Sequence, residues 1–303
     1  MRAIITGGAG FVGTHLAAHL EAHGDTPIIL DRVQGLDIRD RDDVLAKFEA
    51  ANADAVYHLA AFTHVGDSWT APVDVIRINV EGTLNVLDAA RMTGVQRVLV
   101  IGSSEEYGKV SAADMPLSES TPLRPTTPYG ASKAAAGLLA QQAWYGHGLE
   151  TVRVRPFNHT GAGQPPAFVA PAMAQRIVAA QRNDIDHIMV GNLSPIRELL
   201  DVRDVVRAYR LLLERGEPGE VYNVSTGTGH SIETIARTLV SFADRDLELR
   251  VDPELVRPVD LPKLVGDASK IAAHCGWVPE YAITETLRAV YEYAAHAASI
   301  HTN

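Results

Sequence analysis

A glycine-spaced turn near the start of the chain constrains its fold more than any other feature. Thr6-Gly7-Gly8-Ala9-Gly10-Phe11-Val12-Gly13 separates the short apolar run Arg2–Thr6 from the helically periodic run Phe11–His23, which stops at Gly24. An apolar run of that length reads as a buried strand, and the run after the turn as a helix. Gly7, Gly10 and Gly13 lie three apart. Glycine lets a backbone approach a pyrophosphate closely, and the following helix start offers free N–H groups. A plain strand-to-helix turn is the bland alternative.

The same rhythm then repeats. Pro27–Asp31 reads as a strand, Arg41–Ala51 as a helix and Ala55–His58 as a strand. Val73–Arg91 reads as a long helix ending before Gly94, and Arg97–Gly102 as a strand. Pro128 suits a first helical turn, so a helix is expected from there to about Gly146, followed by a strand over Thr151–Arg155. Alternating strands and helices predict an α/β fold with a doubly wound parallel sheet of the Rossmann type. After Arg155 the rhythm breaks. Pro156–Pro171 is rich in Gly and Pro and reads as a long ordered loop, a kind of segment that often carries function. Helices are expected over Pro171–Arg182, Val202–Arg215, Ser231–Ala243 and Ile283–Ala298, and one more strand over Glu220–Val224. The expected organisation is a dinucleotide-binding domain over residues 1–155, with 201–225 returning to it. A smaller interleaved substrate-binding domain takes 156–200 and 226–303.

Composition excludes several classes. The net charge of −10 argues against nucleic acid or an anionic membrane as partner, while local arginines leave an anionic small ligand open. Cys275 is the only cysteine, so neither a disulfide framework nor a Cys-based metal site is expected. No run approaches the roughly 18 apolar residues of a membrane helix, and no charged-then-apolar leader precedes Gly7. A cytoplasmic protein is expected. His58, His64 and His159 lack metal-ligand spacing. His58 reads as the end of a buried strand. His159, inside the Gly/Pro loop, is the one histidine placed near a cofactor.

Asp31 ends the second strand, 18 residues beyond Gly13. An acid there accepts hydrogen bonds from the adenosine ribose hydroxyls and repels a phosphate, which favours NAD. Arg32, next to it, is suited to a 2′-phosphate and keeps NADP open. Asp37-Ile38 reads either as a cap on the adenine or, for Asp37, as an ordinary helix-capping acid.

Tyr129 and Lys133 sit four apart, so a helix presents both from one face. A lysine ammonium beside a phenol is expected to lower the phenol's pKa, and such a tyrosine can pass a proton to or from a substrate oxygen. Ser103 lies 26 residues before Tyr129, at the carboxyl end of a strand, the edge where ligands bind in doubly wound sheets. Its hydroxyl can bond the oxygen that Tyr129 serves. Glu105 is read as a base or as a holder of sugar hydroxyls, and Glu106 as an ordinary exposed glutamate.

Together these residues resemble the extended short-chain dehydrogenase/reductase family of nucleotide-sugar epimerases, dehydratases and reductases. The marks span nearly the whole chain: the glycine turn, His58-Leu59-Ala60-Ala61, Asn79, Ser103-Ser104-x-x-Tyr107-Gly108, Tyr129-x-x-x-Lys133 and Arg155-Pro156-Phe157-Asn158. Within the family, three segments are similar to the reductases of GDP-4-keto-6-deoxy-hexoses that make GDP-D-rhamnose. They are Arg155 through Gln164, Val190-Gly191-Asn192-Leu193 with Asp201-Val202-Arg203-Asp204-Val205, and Arg257 through Asp267. The resemblance implies a catalytic set of Ser103, Tyr129 and Lys133, with Glu105 beside it. It implies a nicotinamide cofactor held by Gly7, Gly10, Phe11, Val12, Asp31, Arg32, Asp37, Ile38, Leu59, Ala60, Ala61, Tyr129, Lys133, Phe157 and His159. It implies a GDP-sugar held by Ser104, Glu105, Asn158, Arg197, Arg257 and Asp260.

The implied reaction is reduction of the sugar's C4 keto group. The rivals are a GDP-mannose 4,6-dehydratase with Glu105 as base, a nucleotide-sugar 4-epimerase, and a cofactor-sensing scaffold without turnover. Three departures stand out, the first two bearing on the site map and the third on the choice of reaction. Glu198 follows Arg197 where the family often has Asp, Asp260 stands where it often has Glu, and Gly161-Ala162-Gly163-Gln164 lacks the arginine pair usual in the GDP-mannose dehydratases. A paired Arg197–Glu198 at the surface is the bland reading of that arginine. Family members commonly dimerise through the helices that here are about Val73–Arg91 and Tyr129–Gly146. Leu138, Leu139, Ala140 and Ala143 give the second of these more apolar surface than one sheet face needs, so a homodimer is expected.

Overall fold

Short runs rich in Val, Ile and Ala form the centre of the molecule, and their burial on both faces makes them parallel strands. The computed structural model describes residues 1–256 and 262–300. Its main sheet has six strands in the order Val221–Val224, Glu150–Pro156, Arg97–Ile101, Ala55–His58, Arg2–Thr6 and Thr26–Leu30, every neighbouring pair parallel. Helices cover both faces. On one, Leu16 and Leu20 of helix Phe11–Ala22 pack with Val205, Tyr209 and Leu212 of helix Val202–Arg215. On the other, Val44 and Phe48 of helix Arg41–Ala51 pack with Val86 of Gly82–Met92 and with Ala140 and Ala143 of Pro128–His147. This is the doubly wound α/β architecture that the strand–helix rhythm predicts. The chain leaves Arg2–Thr6 for one neighbour, Thr26–Leu30, then returns to the other, Ala55–His58. That reversal opens a crevice outside the carboxyl ends of the two strands, the usual ligand position.

The helix expected over Val73–Arg91 follows its course but not its pitch. An α-helical turn, Pro72–Ile76, runs into a π turn, Arg77–Glu81, and then into Gly82–Met92. Asn79 sits inside the wide turn, a kind of local bulge common at functional positions.

Helices Val169–Arg182, Ile232–Val240 and Ile283–Ile300, with the parallel strand pair His187–Val190 and Glu248–Val251, enclose a second core. Met173, Ile177, Ile235, Leu239, Leu287 and Val290 fill it. Two-residue strands join this region to the first: His159–Thr160 runs parallel to Leu200–Asp201, and Ile196–Arg197 lies between His230–Ser231 and Lys263–Leu264. Helix Ser269–Cys275, too short to show a period in sequence, packs Ile271 into the first core beside Trp277. No helix among the described residues is long and apolar enough to cross a membrane.

Candidate functional site

The glycine turn leaves no room for side chains. Gly7 has φ +72°, and a Cβ there would lie 2.7 Å from the Ala60 amide nitrogen; one on Gly13 would lie 2.5 Å from the Gly7 carbonyl. Gly10 begins helix Phe11–Ala22 with no side-chain cap, so its first amides stay open to an anion. A bare cradle at an uncapped helix start fits a dinucleotide pyrophosphate. Asp31 accepts from the Ala9 amide (3.1 Å) and the Val33 amide (3.2 Å), which ties the end of the second strand to the turn. Arg32 is exposed beside it. Leu59, Ala60 and Ala61 continue strand Ala55–His58 into the crevice, the first two bonded to Thr6. Phe11 and Val12 are half-buried.

Asp37 is not a helix cap. Asp40 takes that role at Arg41–Ala51, accepting from the Asp42 and Asp43 amides. Asp37 instead grips the Arg39 guanidinium with both oxygens, and those hydrogen bonds lower its carboxyl to about 2. Ile38 is buried, in the space that a Cβ on Gly82 would need.

Thr127 caps helix Pro128–His147 through the Gly130 amide (3.0 Å), with Pro128 in its first turn. Gly130 itself has no room for a Cβ, which would lie 2.5 Å from the Glu105 carbonyl. This close approach brings Tyr129 to Ser103, near enough for the serine to act on the phenol's pKa. Ser103 Oγ also accepts from the Glu105 amide (3.1 Å). Ser103, Tyr129 and Lys133 are all nearly buried. The expectation that Lys133 lowers the Tyr129 pKa does not hold. Burial pushes the phenol up, Ser103 pulls it down, and Glu105 and Glu106 push it up further. Lys133 turns its Nζ to the Ile101 carbonyl (2.9 Å), and burial lowers its ammonium to about 8. At neutral pH Tyr129 is therefore a phenol, an acid rather than a base.

Asn79 shows why the π turn is placed where it is. Its Oδ1 accepts from the Phe62 amide (2.7 Å), and its Nδ2 donates to the Phe62 carbonyl (3.2 Å) and to Ser132 Oγ (2.9 Å). One side chain thus joins the loop after the third strand to the helix bearing Tyr129 and Lys133. His58 does end a buried strand. Thr83 gives its hydroxyl proton to the Asn79 carbonyl (2.6 Å), so it accepts from His58 Nε2 (2.9 Å), and Thr6 donates to His58 Nδ1 (2.7 Å). Burial lowers this imidazole to about 3, and it is neutral.

Glu106 is buried, not exposed as its residue type suggests, and pairs with Arg155 at 2.8 Å. Ser104 is also buried, and Glu105 half-buried. On the substrate side, Phe157 is buried with its ring where a Cβ on Gly266 would lie. Asn158 is exposed, its carbonyl accepting from Leu200 (2.8 Å). His159 Nδ1 donates to the Phe157 carbonyl (3.0 Å), and burial lowers its pKa. The Gly161–Gln164 turn is held by Gln164 to the His159 carbonyl (3.1 Å) and by His15 Nε2 to the Ala162 carbonyl (2.9 Å).

Arg197 is half-buried. Glu198 points away from the surface, its carboxylate accepting from the amides of Thr226 (2.8 Å), Gly227 (3.1 Å) and Gly266 (2.8 Å). Burial pushes Glu198 up to about 7 against those bonds. A surface pair between Arg197 and Glu198 is therefore not what this carboxylate serves. Arg257 and Asp260 lie outside the described residues. The sequence reads Glu106 as exposed and Glu198 as a surface partner of Arg197, and it does not give the bonds of Asn79. A local signal exists only for Glu106, at Gly102, where a Cβ would collide with its carboxylate.

The site thus sets a protonated phenol and a hydroxyl side by side at the carboxyl edge of a parallel sheet, near a cradle shaped for a dinucleotide. A ketone oxygen there would receive two hydrogen bonds and one proton. The family model described as the NAD dependent epimerase/dehydratase family matches residues 3–225. The chain is 35% identical over 291 residues to the GDP-6-deoxy-D-mannose reductase of Pseudomonas aeruginosa, covering 95% of each. It superposes on RMD from Pseudomonas aeruginosa, solved with NADPH, with a TM-score of 0.91 at 33% identity, covering 98% of this chain and 100% of that one. It superposes on the UDP-glucose 4-epimerase of Thermus thermophilus, solved with NAD, with a TM-score of 0.89 at 30% identity and the same coverage.

Proposed function

This chain belongs to the NAD dependent epimerase/dehydratase family, and on that premise we propose that it reduces the C4 keto group of GDP-4-keto-6-deoxy-D-mannose to GDP-D-rhamnose. The observation that carries the reading is the buried Tyr129 phenol, kept protonated by burial and set beside Ser103. A 4-ketoreductase needs a proton donor at O4, and a relative named as a GDP-6-deoxy-D-mannose reductase supports the substrate.

Gly7, Gly10 and the open helix start would hold the pyrophosphate, Asp31 the adenosine ribose with Arg32 beside it, and Lys133 the nicotinamide ribose. When bound, the reduced nicotinamide supplies the hydride. Ser103 and Tyr129 donate hydrogen bonds to O4, which draws charge onto that oxygen. Tyr129 then gives up its proton, and Ser103, which pulls the phenol's pKa down, favours the phenolate left behind. Asn158, Arg197 and Arg257 would orient the sugar nucleotide, the arginines by paired bonds to phosphate oxygens. NAD is the cofactor that Asp31 favours, and Arg32 admits NADP.

We place the enzyme in the cytoplasm and propose a homodimer built on the face shared by residues 72–92 and helix Pro128–His147. Val73, Leu84, Leu138 and Tyr145 are exposed on these segments. Ala140 and Ala143 lie in the core, so Leu138 alone of the four apolar positions read in sequence is exposed on that face. The test of function is incubation of the purified protein with GDP-4-keto-6-deoxy-D-mannose and NADH or NADPH. Net oxidation of the reduced cofactor with formation of GDP-D-rhamnose is expected. Redox-neutral dehydration of GDP-mannose instead would make it a dehydratase.

A further inference from the structure

We infer that Glu106, clamped by Arg155, is a positioning residue that sets the main chain of Ser103 so that its hydroxyl meets Tyr129. The inference rests on the reading above, in which Ser103 and Tyr129 act on one substrate oxygen.

Strand Arg97–Ile101 makes its last backbone bond one residue on, from the Gly102 amide to the Val154 carbonyl (2.7 Å). From there the sheet no longer directs the chain. The Ser103 amide instead donates to Glu106 Oε1 (2.9 Å), and the serine is extended at φ −164°. The other Glu106 oxygen accepts from Arg155 Nε (2.8 Å). Arg155 in turn donates to the Tyr107 hydroxyl and to the Glu119 carbonyl, both at 3.3 Å, and Tyr107 donates to Asn223 Oδ1 (2.6 Å). Glu106 is 3% exposed and Arg155 5%. Gly102 belongs to the same device: a Cβ there would collide with the Glu106 carboxylate and lie 2.8 Å from the Val154 carbonyl.

A buried ion pair seldom stabilises a fold more than well-packed apolar residues of the same size would. This one ends on the amide of the reacting serine, so its contribution is the orientation of that residue. Ser103 Oγ, already accepting from the Glu105 amide, keeps its own proton to give to the substrate.

The test uses two uncharged replacements that differ in one acceptor. Glu106→Met with Arg155→Met removes both charges and leaves the Ser103 amide without a partner. Glu106→Gln with Arg155→Met removes both charges but keeps an amide oxygen for it. The rate kcat is measured per cofactor-binding site, with KM for the sugar nucleotide and Tm alongside. The Met/Met pair should lose about 10–100-fold in kcat, the scale of a misplaced reacting group, with KM within about threefold. The Gln/Met pair should recover most of that loss. Should Met/Met not fold, Glu106→Gln alone replaces it. There Arg155 and the Ser103 amide compete for one oxygen, and kcat should fall below that of the Gln/Met pair. Equal kcat in the two compared variants, or a Met/Met kcat equal to wild type, overturns the inference. Ser103→Ala separates the two levels. If it leaves kcat within a few-fold, the functional reading itself fails; if it cuts kcat while the two pairs behave alike, only the role of Glu106 fails.

Discussion

The two sides of the site are held by different means. On the cofactor side, backbone packs on backbone: Gly7 against Ala60, Gly13 against Gly7 and Gly8, all at the end of a parallel ladder. On the substrate side, a single carboxylate catches distant amides. Glu198 holds Thr226, Gly227 and Gly266. The strands that join that side to the first core are two residues long. Backbone packing tolerates almost no change of shape. Carboxylate ties can be moved one residue at a time, so this is the side where relatives acting on different sugars can diverge on one scaffold.

The largest effect expected on the cofactor side is chemical. Tyr129→Phe removes the proton and keeps the ring, so kcat should fall by about 10²–10⁴-fold, with cofactor affinity nearly unchanged in a binding titration. A rate within a few-fold of wild type would remove Tyr129 from the mechanism. The next is set by pH. Burial lowers Lys133 to about 8, so its ammonium is present below that pH and lost above it. Reductive kcat/KM should hold up to about pH 8 and then fall roughly tenfold per unit, while Tyr129, with its raised pKa, stays protonated. A profile flat to pH 10 would show that the charge on Lys133 is not used.

The contrast between the two sides is broken or sharpened by a pair of substitutions. Gly7→Ala strains a left-handed residue, at about 1–2 kcal/mol, and drives a Cβ into Ala60, so cofactor affinity should drop at least tenfold. Glu198→Ala strands three amides, each at about 1–3 kcal/mol if left buried without a partner. It should lower Tm and raise KM for the sugar nucleotide several-fold while cofactor affinity holds. Equal loss of cofactor affinity in both would mean that the two sides are one mechanical unit. The smallest effect is expected at Glu105. A ketoreductase deprotonates no C–H bond, so Glu105→Gln removes at most a hydrogen bond worth about 0.5–1.5 kcal/mol and should slow reduction tenfold or less. A loss of several orders of magnitude on the 4-keto substrate would make Glu105 a catalytic group.

The same contrast explains what could be read from the residues. Strands such as Arg2–Thr6 and Ala55–His58 and helices such as Arg41–Ala51 and Val202–Arg215 run over the expected spans, because periodicity and glycine stops are local. The π turn at Asn79 is not local, since it answers to Phe62 and Ser132. Nor is the burial of Glu106, whose partner Arg155 lies 49 residues away. Spacing put Lys133 on the face of Tyr129 but could not say that Nζ turns to Ile101, or that burial would dominate the phenol. Two-residue strands carry no period, and carboxylates such as Glu198 look like surface charges until the amides they hold are known.

The central claim is that hydride reaches C4 of the sugar while Tyr129 supplies the proton, and isotope transfer tests it most directly. With reduced cofactor deuterated at the transferred position of nicotinamide C4 and GDP-4-keto-6-deoxy-D-mannose as substrate, the product should be GDP-D-rhamnose with one deuterium at sugar C4, and one cofactor oxidised per sugar. A product without deuterium at C4, or turnover with no net oxidation of the cofactor, would contradict the account.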